Sequence, residues 1–87
     1  MKPGEDLVLE GICDLKEGLE TIPSLLVSIG APRLRRLALP IPQQVFPEPE
    51  HRLYEMLRIV NPDASHSQYN ALIRRLVSYE RAAECVK

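Results

Sequence analysis

An all-α fold, a small helical bundle, is what this 87-residue sequence predicts. Three observations predict it. Apolar residues recur at helical spacing over the first thirty residues, prolines crowd into the middle third, and helical periodicity returns over the last forty. The arrangement expected is an N-terminal helix broken near Pro23, a proline-rich crossover and a C-terminal helical hairpin, within a single domain spanning 1–87.

The N-terminal element, residues 5–29, rests on Val8, Ile12, Leu15, Leu19, Ile22, Leu26 and Ile29, whose 4-3-4-3-4-3 spacing is the repeat of a coiled-coil-like seam. Asp6, Glu10, Asp14, Glu17 and Glu20 lie off that seam, where water reaches them. Gly11 and Gly18 weaken the helix, each by about 1 kcal/mol relative to alanine. Pro23 lacks the N–H that a helix interior requires, and Thr21 two residues before it suits a helix start with the proline in its first turn. The pattern predicts one helix from Glu5 to Thr21 and a second from Pro23 to Ile29, with Gly30 as its stop and Pro32 just beyond.

In the connector, residues 31–48, Pro32, Pro40, Pro42 and Pro47, with Pro49 just beyond, exclude a long helix. Residues 33–41 have two readings. Pro32 opens a short helix through Leu37, or Leu37, Leu39 and Ile41 alternate along an extended strand whose prolines leave one edge able to pair. From Pro42 to Pro49 a polyproline-like path is expected.

Helix returns at Pro49, a natural first-turn residue, with Leu53, Leu57 and Val60 as a stripe beside Tyr54 and Met56. Asn61-Pro62-Asp63 breaks it. Ser65-His66-Ser67-Gln68 then matches a capping box, the serine hydroxyl taking the Gln68 N–H. Tyr69, Leu72, Leu76, Tyr79, Ala83 and Val86 form a second seam at 3-4-3-4-3, widened by Ile73 and Val77. The short turn makes residues 49–87 an antiparallel hairpin.

Eleven basic and twelve acidic residues leave a net charge of -1, so no overall field draws the chain to nucleic acid or anionic lipid. The charge is nevertheless segregated. Residues 1–20 hold six acids against two lysines, residues 21–47 hold only Arg33, Arg35 and Arg36, and residues 64–87 are again net basic. The acidic first helix and the basic last helix are therefore expected to pack on each other, within one chain or between two. Two full seams with only 5% aromatic residues also favour a homodimer, which buries both faces better than one chain can.

No apolar run is long enough to span a membrane, and no leader pattern is read at the N-terminus. Two cysteines, Cys13 and Cys85, are too few for a disulfide framework, so a reducing, cytoplasmic setting is expected. Both lie one residue off a seam, where they act as buried or half-buried small hydrophobes or, if the first and last helices pack antiparallel, approach one end of the bundle and form a disulfide, within or between chains.

Catalytic chemistry is not expected. His51 and His66 sit near helix starts with no acid positioned to orient them, and neither cysteine has a partner base in its spacing. Cys13, His51, His66 and Cys85 are too scattered for a zinc site, and no glycine-rich loop is present to cradle a phosphate, so neither metal nor cofactor is expected.

What the sequence favours is a small non-enzymatic interaction module, an adaptor, regulator or inhibitor that meets a protein partner through a helical surface and an Arg/Pro-rich segment. Its expected contacts are Leu34, Arg35, Leu37, Leu39, Val45 and Phe46, with Tyr54 and the face around Arg74 as a second candidate. Phe46, the only phenylalanine, is either a hot spot for that partner or a tether to its own core. The alternative is a helix-turn-helix-like regulator, whose last helix turns Ser67, Asn70, Arg74, Ser78 and Arg81 outward, with Asn70, Arg74 and Arg75 as nucleic-acid contacts. The net charge and the acidic first helix disfavour that reading.

Overall fold

The computed structural model describes residues 2–85 and contains four helices, with no strand among the described residues. They are α1 (Glu5–Lys16), α2 (Ile22–Arg36), α3 (Pro49–Val60) and α4 (Ser65–Glu84). The all-α bundle with a proline-rich crossover and a C-terminal helical hairpin is thus the observed architecture. The radius of gyration, 12.5 Å, is close to the value of about 12 Å expected for a compact chain of this length, so the connector lies against the bundle.

The bundle is organised around α2. Ser24, Leu25, Leu26, Val27 and Ser28 are buried one after another, followed by Gly30, Ala31 and Leu34. Five consecutive buried positions span more than a full helical turn, so this helix has no solvent face along that stretch and packs on each of the other three. Val8, Ile12 and Leu15 of α1, Leu53 and Leu57 of α3, and Leu76 and Tyr79 of α4 complete a single cluster around it.

The acidic and basic helices meet differently from expectation. Because α2 separates α1 from α4 along most of their length, their charges meet at one end, where Arg75 Nη2 lies 3.2 Å from Asp6 Oδ1.

The helix boundaries correct the sequence reading at two glycines. Gly18, expected inside a helix, ends one. It has φ +74, Gly18 N–H reaches the Leu15 carbonyl and Leu19 N–H reaches that of Asp14 at 2.8 Å, the paired bonds of a Schellman stop. The helix therefore closes at Lys16 rather than Thr21, and Leu19, a seam residue by spacing, is left 49% exposed. Gly30, expected as a stop, lies inside α2. A Cβ there would sit 3.0 Å from Glu80 Oε2 and 3.1 Å from both Leu76 methyls, so its missing side chain is what lets α4 approach.

Pro32 does not end α2 either. Its ring is exposed, so it removes one backbone bond without a clash against a neighbouring helix. The helix continues because Leu34, one turn after Gly30 and Ala31, is fully buried. Of the two readings of 33–41, the helical one holds to Arg36. A second Schellman stop then closes on Ala38 at φ 66, with Ala38 N–H to the Arg35 carbonyl and Leu39 N–H to that of Leu34.

At its start α2 has the helix cap anticipated around Thr21 and Pro23. Thr21 Oγ1 accepts from Ser24 N–H at 3.2 Å, and Ser24 Oγ accepts from Thr21 N–H at 2.7 Å. The Thr21 hydroxyl proton goes to Asp14 Oδ2 at 2.6 Å, tying the last turn of α1 to the first of α2.

The capping box expected at Ser65 does not form. Ala64 occupies the cap position and accepts from Gln68 N–H, while buried Ser65 begins the helix and donates its hydroxyl to the Pro62 carbonyl. The turn is four residues, too tight to leave Ser65 outside the helix. In the second seam Leu76 and Tyr79 are buried, Tyr69, Leu72 and Ala83 are half-buried, and Val86 lies outside the described residues. Val60, expected on the buried stripe of α3, is 73% exposed because the helix has passed the edge of the core by its last turn.

At Gly11 α1 lies close against the start of α2. A Cβ there would fall inside van der Waals contact of the Pro23 carbonyl oxygen and Val27 Cγ2. Gly11→Ala should therefore destabilise the fold by about 1–3 kcal/mol through overpacking, although alanine is the better helix former. Gly18→Ala has open space and should cost about 1 kcal/mol, from its left-handed backbone alone. Urea unfolding of the two variants reads both values, and a neutral Gly11→Ala would contradict the close α1–α2 approach.

Candidate interaction surface

The surface expected at 34–46 is largely turned inward. Leu34 has no exposed area, which removes it as a partner contact. Leu37, Leu39, Ile41, Val45 and Phe46 are half-buried against the core cluster. Arg35 is used to hold the connector: its Nη2 donates to the Pro42 carbonyl at 2.6 Å and the Gln43 carbonyl at 3.1 Å. Further along, Phe46 N–H donates to buried Ser28 Oγ at 3.3 Å, and Ser28 passes its own proton to the Ser24 carbonyl.

The Phe46 ring is held from the other side by Arg52, whose guanidinium carbon lies 5.9 Å from the ring centroid. Arg52 is itself fixed by a two-pronged pair with Glu20, at 2.9 and 3.0 Å. These contacts attach Phe46 to its own bundle, as the tether among its two expected roles requires. The strap leaves a groove of about 500 Å³ between it and the end of α1, lined by Leu15, Lys16, Pro42, Gln44, Val45 and Phe46.

Tyr54, the second candidate, is half-buried and packs edge-on against Tyr69 at 5.7 Å and His66 at 6.5 Å. This aromatic trio fastens α3 to the first turns of α4. Burial holds the Tyr69 hydroxyl above its ordinary range, with Glu50 adding to the effect. On α4, Arg74 and Arg81 are exposed, and neither makes an ion pair among the described residues. Asn70 is half-buried and Arg75 is paired with Asp6, so the outward face holds fewer free cations than the sequence suggested.

A charged cluster joins α2 to α4. Glu80 is 4% exposed, with its Oε1 3.4 Å from Arg33 Nη1, while Arg33 Nη2 bonds the outer Glu84. Burial raises the Glu80 carboxyl above its ordinary value of 4.5, Arg33 opposes that shift, and Glu84 adds to it. Ile29, Ile73, Leu76 and Val77 wall a groove of about 300 Å³ beside it. No fully buried side-chain nitrogen or oxygen among the described residues lacks a hydrogen-bond partner. The arrangement is an inter-helix tie.

No group of three or more His, Cys, Asp or Glu side chains is placed to hold a metal among the described residues. Cys13 and Cys85, expected to be buried or half-buried, are exposed, and they are free rather than joined in the alternative disulfide. No helix among the described residues is long and apolar enough to cross a membrane.

What sequence reasoning missed is an apolar patch at the end of α3. Ile59 is 82% exposed and Val60 73%, well above Leu9 and Leu19, the other large exposed hydrophobics. Beside them runs a groove of about 340 Å³ lined by Ile22, Leu57, Val60, Gln68, Ala71, Leu72 and Arg75. A signal was present: Ile59 and Val60 are adjacent, about 100° apart on a helix, and only one can continue the Leu53–Leu57 stripe.

Phe46→Ala should lower the melting temperature, with a loss of about 1–3 kcal/mol, below the 3–5 typical of a fully buried phenylalanine. Unchanged melting would contradict the tether. Glu80→Gln tests the tie through pH. An acid raised on folding keeps its proton where the unfolded chain has released it, so its contribution falls as pH rises from 4.5 through the folded value. Glutamine cannot ionise, so denaturant melts should show the wild type losing stability relative to Glu80→Gln as pH rises across that interval. A constant difference would mean that the buried carboxyl does not titrate abnormally.

No family model matches this chain, and no curated protein and no solved structure matches it.

Proposed function

We propose that this chain is a small non-enzymatic protein-binding module, an adaptor, regulator or inhibitor, whose contact surface is the apolar end of the α3–α4 hairpin. The observation that carries the reading is the pair Ile59 and Val60, exposed side by side next to an apolar groove. Adjacent large aliphatics standing in water beside a concave apolar surface cost solubility and contribute nothing to the fold, which is the pattern of an interaction site. The setting is the reducing cytoplasm, where the exposed thiols of Cys13 and Cys85 stay free.

This site replaces the Arg/Pro-rich segment as the centre of the interface. Arg35 and Phe46 are engaged in holding the connector to the bundle, which is the ground for placing the centre of the interface elsewhere. The nucleic-acid reading keeps, among the described residues, Arg74 and Arg81 as cations without an ion pair on the outer face of α4, with acidic α1 joined to one end of that helix at Asp6.

The test is the double variant Ile59→Asp with Val60→Asp. Both positions are exposed, so melting should change by no more than about 0.5 kcal/mol, as for other surface substitutions. Affinity capture from the source cells should lose the proteins retained by the wild type. Capture that is unchanged by the double variant, with the fold intact, would overturn this reading.

A further inference from the structure

We propose that this chain exchanges its α3–α4 hairpin with a second copy, opening at Glu48 to give a two-fold swapped dimer. Glu48 stands between Pro47 and Pro49, where α3 begins, and its backbone is left-handed, at φ 47 and ψ 51. Two local preferences ask for the opposite. A residue before proline is pushed to extended backbone, and the residue that precedes the first turn of a helix is ordinarily extended too. Glu48 has a Cβ that the left-handed region disfavours, its side chain makes no capping bond, and it is exposed. No local contact rewards the bend. It is imposed by the packing of α3 and α4 back onto α2 of the same chain.

The contacts on either side of Glu48 make it the hinge. The strap before it belongs to the first hairpin, since Arg35 donates to the Pro42 and Gln43 carbonyls and Ser28 accepts from Phe46 N–H. Pro49, immediately after it, is already the first residue of α3. With Glu48 extended, Pro47-Glu48-Pro49 is a polyproline-like segment of about 9 Å that turns α3 away from its own strap. Strain in a short hinge, relaxed only on opening, is the condition that invites exchange between copies.

The surface that opening uncovers fits a second copy because it is the surface that fits within one chain. Leu53, Leu57, Leu76 and Tyr79 of the α3–α4 hairpin share one core with Leu25, Leu26 and Leu34 of α2. Four of the five ion pairs among the described residues also cross between the hairpins: Asp6–Arg75, Glu20–Arg52, Arg33–Glu80 and Arg33–Glu84. Two chains that trade hairpins remake each of these contacts twice, and the reciprocal trade closes the assembly at two. This dimer is not the one expected from the two seams. Much of each seam, including Val8, Ile12, Leu15, Leu26, Leu76 and Tyr79, is already buried within one bundle, so in the dimer the seams meet only as they do in the monomer. Ile59 and Val60 stay outside both bundles, and the dimer displays that patch twice.

Refolding from urea at low and at high chain concentration, followed by light scattering behind size exclusion, reads the exchange. The wild type should give the 9.9 kDa monomer at low concentration and a growing share of twice that mass at high concentration. Glu48→Gly accepts the left-handed bend and should raise the dimer dissociation constant by about a hundredfold, roughly tenfold for each of the two hinges. Glu48→Pro fixes φ at about −65°, which forbids the bend, and should be dimeric at both concentrations with the circular dichroism of the wild type. Refolding Glu20→Arg together with Arg52→Glu separates exchange from the docking of closed chains. Either variant alone sets like charges against each other across its hairpins, whereas an exchanged mixed pair restores a Glu–Arg contact in both bundles. Mixed dimers should therefore exceed the half share that random pairing gives. A wild type that stays monomeric after refolding at high concentration, or a Glu48→Pro chain that is a folded monomer or does not fold, would overturn the proposal. So would a Glu48→Gly chain that dimerises as readily as the wild type, or random pairing of the charge variants.

Discussion

Everything in this molecule depends on keeping one stretch of backbone out of water. Between Glu20 and Arg33 the chain has no charged side chain, and residues 24–28 are buried in sequence. A helix without a polar stripe has no stable place on a surface. It must be surrounded, and α1, α3 and α4 are the three walls. The polar groups that do enter it are consumed locally: Ser24 by the cap with Thr21, Ser28 by the Ser24 carbonyl and the Phe46 N–H. The two close approaches use missing side chains: Gly11 on α1 admits the Pro23 carbonyl and Val27, and Gly30 on α2 admits Leu76 and Glu80 of α4.

The architecture was legible in the sequence because both of its signals are strong ones. Proline density marks the crossover, and the apolar period marks helices on both sides. The boundaries were less legible, and Gly18 and Gly30 explain why. A glycine has the same letter whether it supplies a left-handed stop or the absence of a Cβ, and only the neighbouring helix decides which. The seven-residue seam ran through Gly18 without a break because the α1–α2 turn happens to preserve the spacing. Leu19 fits the pattern and is nevertheless half exposed. Pro32 misled for a related reason: a proline costs a helix one backbone bond and crowds the preceding turn, and here the burial of Leu34 beyond it offsets that cost.

The interaction surface was the least legible part. The Arg-rich proline segment carries residue types associated with recognition, but Arg35 finds two carbonyls of its own connector and Phe46 finds Ser28 and Arg52. Those contacts join residues as far as 18 positions apart, beyond what periodicity reports. The patch at Ile59 and Val60, by contrast, looks like ordinary helix in the sequence. Its exposure arises because α3 runs past the edge of the core, a matter of where the helices cross.

The strap held by Arg35 and Ser28 has a consequence for how the molecule comes apart. It joins two helical hairpins, α1–α2 and α3–α4, and α2 belongs to the first while half of its covering belongs to the second. Severed in the connector, the first piece would be left with the apolar flank of α2 bare, and the second with Leu53, Leu57 and Leu76 bare. Neither piece closes a core alone, and each is the other's missing half. The chain is in this sense a pair of complementing fragments that happen to be covalently linked, and the linker's role is to keep their mutual concentration high.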